Sequence, residues 1–257
     1  MSAVQNVSSA STANSKTASG IGAWPPLLRI LTVATIIGIG IALYMGLVYA
    51  GTDVDQGDVQ RIFYIHMPSF FGAFVAFSAA VVGGIQYLRT RNVKWDTLAL
   101  SGVEVGLALS IVNVVTGAIW ARPIWNTWWT WDPRLTSAAI MCLTYAAYLM
   151  LRNGIENVEQ RRRFAAVYAI LAIVTVIMTL IIIRIRPDTI HPAVIGPSAQ
   201  NAQGTFELEA TRGVGAALGM NFPVWGLLVP ITLMWHRIRL QNRIEQVEAL
   251  KAEVLNQ

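Results

Sequence analysis

The sequence predicts an all-α integral membrane protein of six spanning helices, and two observations carry that prediction. Hydrophobic residues make up 54% of the chain and charged residues only 13%, with a mean hydropathy of +0.51, whereas soluble chains are roughly a quarter charged. The apolar residues are also gathered into six runs, each close to the roughly 20 residues a helix needs to cross hydrocarbon. The formal net charge of +5 does not point to nucleic acid. No basic block is interleaved with aromatics, and the charges fall between the apolar runs, where they act as topology signals beside membrane lipid.

Residues 1–23 are rich in Ser, Ala and Thr with Lys16 as the only charge, which reads as a disordered tail. It lacks the form of a signal peptide, and the first apolar run, Pro26 to Ala50, shows no small-residue cleavage site and stays as an anchor. The remaining runs are Ile62 to Leu88, Leu98 to Trp120, Leu135 to Leu151, Phe164 to Ile183 and Ala216 to Trp235, so residues 24–236 form one six-helix domain. Pro223 and Pro230 predict kinks in the sixth helix, with neighbours satisfying the freed backbone groups. Gly72, Ala76, Ala80 and Gly84 in the second helix, and Gly102, Gly106 and Ser110 in the third, read as packing seams where backbones approach closely. In residues 237–257, Leu240, Ile244, Val247, Leu250 or Lys251, and Val254 recur at three- and four-residue steps, which predicts an amphipathic helical extension.

Orientation follows from the distribution of Lys and Arg. Thirteen of them, from Lys16 and Arg29 through Arg89, Arg152 and Arg161 to Lys251, fall on one side, and six, Arg61, Arg122, Arg134, Arg184, Arg186 and Arg212, on the other. Both termini are therefore expected in the cytoplasm, and the connection between helices three and four outside.

That external connection holds five of the nine tryptophans: Trp120, Trp125, Trp128, Trp129 and Trp131. Were it helical, Trp125, Trp128, Trp129 and Asp132 would share one face on which a flat ligand can lie. The plainer reading is an aromatic belt at the membrane interface, although belts scatter their rings over many helix ends. Asp132-Pro133 also fits a helix start, with Asp as cap and Pro at the first helical position.

The three histidines decide the chemistry. His66 and His191 fall on the external side of the orientation count, flanking the tryptophans in the sequence, while His236 falls at the cytoplasmic interface. The lone Cys142 excludes a disulfide framework and a cysteine metal site. Glu104 is an ionisable residue inside an apolar run, and so a candidate for function or for a polar partner near the cytoplasmic boundary. Two imidazoles, a wall of indoles, and Arg122 and Arg134 bracketing them suit a flat iron macrocycle with acidic edges, namely haem. The imidazoles would ligate iron from opposite faces, Trp125, Trp128, Trp129 and Trp131 would cover the ring, and the arginines would take up the propionates. Zinc suits the set less, since two histidines leave its tetrahedron unfinished unless Asp132, Glu207 or Glu209 completes it. No Walker-type glycine loop is present, and a binding and transfer protein is expected rather than an enzyme.

The run Trp125-Asn126-Thr127-Trp128-Trp129-Thr130-Trp131-Asp132-Pro133-Arg134-Leu135-Thr136-Ser137 resembles the WWD signature of the haem-handling proteins of cytochrome c maturation, and most of all the CcmC type. The resemblance spans about residues 26–240. It implies that His66 and His191 are the axial ligands of haem b, carried as transient cargo against the WWD segment at the external face of the bacterial inner membrane. It implies delivery to the membrane-anchored haem chaperone CcmE, within a complex holding the ABC transporter subunits CcmA and CcmB and the small membrane protein CcmD. One stretch departs from the family: around the second histidine such proteins commonly read Trp-Trp-x-Thr-Leu-His-Gln, whereas this chain has Arg186-Pro187-Asp188-Thr189-Ile190-His191-Pro192, with less apolar cover. Two other functions fit the sequence, a haem lyase subunit acting on apocytochrome c and a permease subunit for haem or another solute.

Overall fold

The computed structural model describes residues 24–186, 188–191 and 212–255. The N-terminal tail expected over residues 1–23 lies outside the described residues, as do Glu207 and Glu209. Among the described residues, six helical segments are long and apolar enough to cross a membrane and no strand is present, as expected of a multi-pass membrane protein.

Helix α1 covers Pro26–Tyr44 and continues as a π-helical turn, Met45–Tyr49. Its last carbonyls are claimed by Arg61, which donates to Leu47 O at 2.7 Å and Ala50 O at 3.1 Å while holding Asp58 at 3.0 Å. This cation, read from the sequence as a topology signal, therefore also caps a helix. A 3₁₀ turn, Asp58–Ile62, leads into α2, Phe63–Thr90. Helix α3, Val93–Trp125, starts on the Asn92 cap and stops where Asn126 turns left-handed at φ 56°. Helix α4 is Pro133–Gly154 and α5 is Val158–Ile185. The last span comprises α6, Val214–Pro223, a π turn Val224–Leu228, and α7, Val229–Leu255. The irregularity follows directly on Pro223, where a missing N–H breaks the ladder. Buried Asn221 steadies the join, donating to Ala42 O at 3.0 Å and Ala217 O at 2.8 Å.

Helices α2 and α3 form the central pair. A Cβ on Gly102 would stand 2.5 Å from Ala76 O and 2.9 Å from Ala80 N, so only glycine permits this approach. The two stripes read from the sequence divide between neighbours. Ala76 and Ala80 meet Gly102, whereas Gly72 faces the π turn at Trp225 and Gly84 faces α5 at Ala166.

A charge cluster closes the end opposite the tryptophans. Arg152 on α4 donates two hydrogen bonds to Asp96 on α3, at 2.7 and 2.6 Å, and Arg162 on α5 adds a contact at 3.4 Å. Arg237 on α7 pairs with Glu104, which gives that intramembrane carboxylate a structural partner. Near it, His236 is hydrogen-bonded to Thr32 at 2.9 Å and meets Trp24 edge-on. Helix α7 then continues unbroken to Leu255, with Leu240, Ile244, Val247, Leu250 and Val254 exposed along it.

Candidate functional site

At the tryptophan end, α2, α3, the start of α4 and the segment after α5 surround a cavity with about 750 Å³ of empty space, part of it open to the exterior. Its polar lining consists of His66, Asn113, Arg134 and His191, and indole faces are supplied by Trp120, Trp125 and Trp129. The rest is mainly aliphatic. This balance, an apolar pocket with few convergent polar groups, is that of a small-molecule site.

His66 lies in the first turn of α2. Its Nδ1 is 2.9 Å from Asn113 O, and its own backbone carbonyl accepts from Asn113 Nδ2 at 2.7 Å. A carbonyl oxygen only accepts, so Nδ1 carries the proton and Nε2 carries the lone pair. The amide nitrogen stands farther from the ring nitrogens, at 3.3 and 3.5 Å, and its short bond is the one to the carbonyl. The His66 and His191 rings are 6.3 Å apart between centroids, with planes inclined by 32°. The sequence places His66 at the start of the second span and His191 beyond the end of the fifth, and the fold brings them to one cavity.

The tryptophan segment is not one helix. Asn126 ends α3, and Asp132, in extended conformation, starts α4 by accepting from Arg134 N at 2.8 Å and Leu135 N at 3.1 Å. The shared face expected of Trp125, Trp128, Trp129 and Asp132 therefore does not form. Trp125 stands against His191 with ring centroids 6.4 Å apart, and Trp120 packs edge-on against Trp125 while its Nε1 donates to Gln56. Trp128 and Trp131 are 59% and 77% exposed and do not line the cavity. The Trp129 Nε1 is buried and has no hydrogen-bond acceptor among the described residues, although a buried indole N–H ordinarily finds one.

The two arginines part company. Arg122 is exposed and turns back onto Asn126, donating to its carbonyl at 2.7 Å, which covers the end of α3. Arg134 lines the cavity, with its guanidinium 4.8 Å over the Phe70 ring and one arm donating to Thr179 O.

Asp132 has a second task besides the cap. Its Oδ1 also accepts from Thr189 Oγ1 at 2.9 Å, and its Oδ2 from Thr130 Oγ1 at 3.0 Å. One carboxylate therefore ties the tryptophan loop, the start of α4 and the residue two places before His191. An exposed fork between Arg186 and Asp188, at 2.7 and 2.6 Å, braces the same segment and holds the Asp188 carboxyl below its ordinary range. Replacing Asp132 by Ala is expected to cost about 1–2 kcal/mol through the cap alone. Thermal unfolding of the detergent-solubilised protein measures this, Asp132→Asn should recover most of it, and an unchanged Asp132→Ala protein contradicts the tie.

Sequence reasoning missed Asn113 and Gly117 as cavity residues because an apolar run gives no sign of which polar atom faces which neighbour. Among the described residues no cluster of three or more His, Cys, Asp or Glu is placed to hold a metal ion.

Residues 10–188 match the family model described as CcmC, heme exporter protein C. The heme exporter protein C of Haemophilus influenzae is 31% identical over 161 residues, covering 63% of each chain. That of Rhodobacter capsulatus is 30% identical over 131 residues, 51% of this chain and 54% of the relative. That of Escherichia coli K12 is 26% identical over 148 residues, 56% and 59% respectively. The alignments thus span between about half and two thirds of these relatives' length. Because the family match covers well over half of the sequence and includes the central helix pair, His66 and the whole tryptophan segment, the chain belongs to the CcmC, heme exporter protein C, family.

Proposed function

We propose that this protein binds haem in the cavity at its tryptophan end, with His66 and His191 as the two axial ligands, and hands it to a membrane-anchored haem chaperone of the CcmE kind for cytochrome c biogenesis. The observation that carries the reading is the 6.3 Å between the imidazole centroids. Two metal–nitrogen bonds of about 2 Å each, extended by the two ring radii, add up to roughly that distance. The tautomer of His66 supports it, since a ligating histidine commonly donates its other ring N–H to a backbone carbonyl.

The other cavity groups suit the same cargo. Trp120, Trp125 and Trp129 offer apolar faces to a porphyrin, while the buried Trp129 N–H and the Arg134 guanidinium offer donors to its propionates. Haem is here a transient cargo: the residues hold and orient it, and no bond-breaking step is assigned to the chain. Trp128 and Trp131, exposed beside the cavity, are assigned to the surface that meets the chaperone, where exposed aromatics are common anchors.

The Lys and Arg bias supports a cavity on the external side and termini in the cytoplasm, and the resemblance to the haem-handling family supports the inner membrane as its location. The family name of the relatives, heme exporter protein C, supports assembly with ABC-type subunits corresponding to CcmA and CcmB, together with a small membrane protein corresponding to CcmD. Handover is the test. The purified chain, charged with haemin in detergent, is mixed with the soluble domain of a CcmE-type chaperone and separately with an apocytochrome c. Transfer to the chaperone is expected. Transfer to apocytochrome without the chaperone would instead make the protein a haem lyase, and failure to take up haemin would remove the reading.

A further inference from the structure

We infer that Asn113 and Gly117 on α3 are positioning residues that form a seat for the His66 ring and aim its Nε2 into the cavity. The inference rests on the haem reading above and concerns how the first ligand is held.

The two residues are four apart on one helix and so lie on the same face, and that face is the one His66 covers. Asn113 is buried, and it grips His66 from both ends. Its backbone carbonyl takes the Nδ1 proton at 2.9 Å and its side-chain amide donates to the His66 carbonyl at 2.7 Å. Thr116 Oγ1, 3.3 Å from Nδ1, stands beside the same nitrogen. The carbonyl that Asn113 offers is already used within α3's own ladder, so the ring must approach the helix closely to reach it.

Gly117 makes that approach possible. A Cβ there would stand 2.9 Å from His66 Cε1 and 3.3 Å from Nδ1. Carbon atoms rest about 3.5–4.0 Å apart, so a single methyl group would drive the ring back by roughly half an ångström or more. Metal–ligand bonds tolerate only about 0.2 Å. The smallest side chain is therefore already enough to take Nε2 out of bonding position, without touching the ligand nitrogen's chemistry.

The test titrates the detergent-purified full chain with haemin and records the absorption spectrum, spin state and thermal unfolding of wild type, His66→Ala, Gly117→Ala and Asn113→Ala. For the two α3 variants haemin affinity is expected to fall by about tenfold or more, in the range typical of outer-shell partners. High-spin iron should appear, and added imidazole should restore the low-spin spectrum by filling the vacated position. Wild-type spectra in both variants overturn the inference, as does a loss of haemin that imidazole does not restore in protein with wild-type unfolding. Should Gly117→Ala yield no folded protein, Asn113→Ala decides alone, because it removes only the amide grip. If wild type and His66→Ala take up haemin equally, the haem reading itself fails. If His66 is required and the α3 variants behave as wild type, only the seat fails.

Discussion

His66→Ala is expected to lower haemin affinity at least about tenfold and to leave five-coordinate, high-spin iron, the largest functional effect of any single substitution in this chain. The residue sits on a spanning helix, its tautomer is fixed by the Asn113 carbonyl, and its ring lies against α3. Nothing mobile has to be ordered for it to bind. His191→Ala should weaken binding less. Its backbone lies beyond the end of α5, outside any helix, and is held through Thr189 to Asp132 and through the exposed Arg186–Asp188 fork, so its ring is fixed less firmly than that of His66. Absorption titration of both variants checks the ranking, and equal retention of haemin by both contradicts it.

The largest expected loss of stability lies at the opposite end. Asp96 is 3% exposed and takes both arms of Arg152, itself 8% exposed, with Arg162 beside them. Removing one member of a buried pair strands the other charge, and this typically costs about 3–5 kcal/mol. Asp96→Ala should therefore unfold at markedly lower temperature or denaturant concentration in detergent. The paired replacement Asp96→Leu with Arg152→Met should lose less than Asp96→Ala alone, because no uncompensated charge remains. A cost below about 1 kcal/mol for Asp96→Ala would place the pair among weak surface bridges. Haemin binding by the folded fraction is expected to survive, since the cluster and the cavity occupy opposite ends of α3.

The spans were legible because lipid demands long apolar runs, and hydropathy reads those runs directly. Their ends were not. Helix α3 starts at Val93, five residues before the apolar run, because Asn92 caps it, and continues past Trp120 to Trp125 because helical geometry tolerates polar residues once it is outside hydrocarbon. Asp96 fell into that gap, and its partner lies 56 residues away, a separation that composition and periodicity cannot bridge.

At the site, the two histidines and the tryptophan cluster stood out by residue type alone. The shape of the cluster did not. A helical face through Trp125, Trp128 and Trp129 requires right-handed geometry at every residue between, and Asn126 adopts φ 56°, a conformation Asn tolerates better than most. That single turn sends Trp128 and Trp131 to the surface and leaves Trp120, Trp125 and Trp129 on the cavity. Asp132 was readable as a cap from Asp-Pro, whereas its bond to Thr189 depends on the packing of α5 against α4 and left no trace in the local sequence.

The direct test of the central claim is low-temperature electron paramagnetic resonance of the ferric haem-loaded protein. Wild type is expected to give a low-spin spectrum of iron held by two imidazoles, converted to high spin by His66→Ala and, at least in part, by His191→Ala. A high-spin wild type, or a low-spin spectrum that survives unchanged in both variants, would show that the two rings do not share one iron.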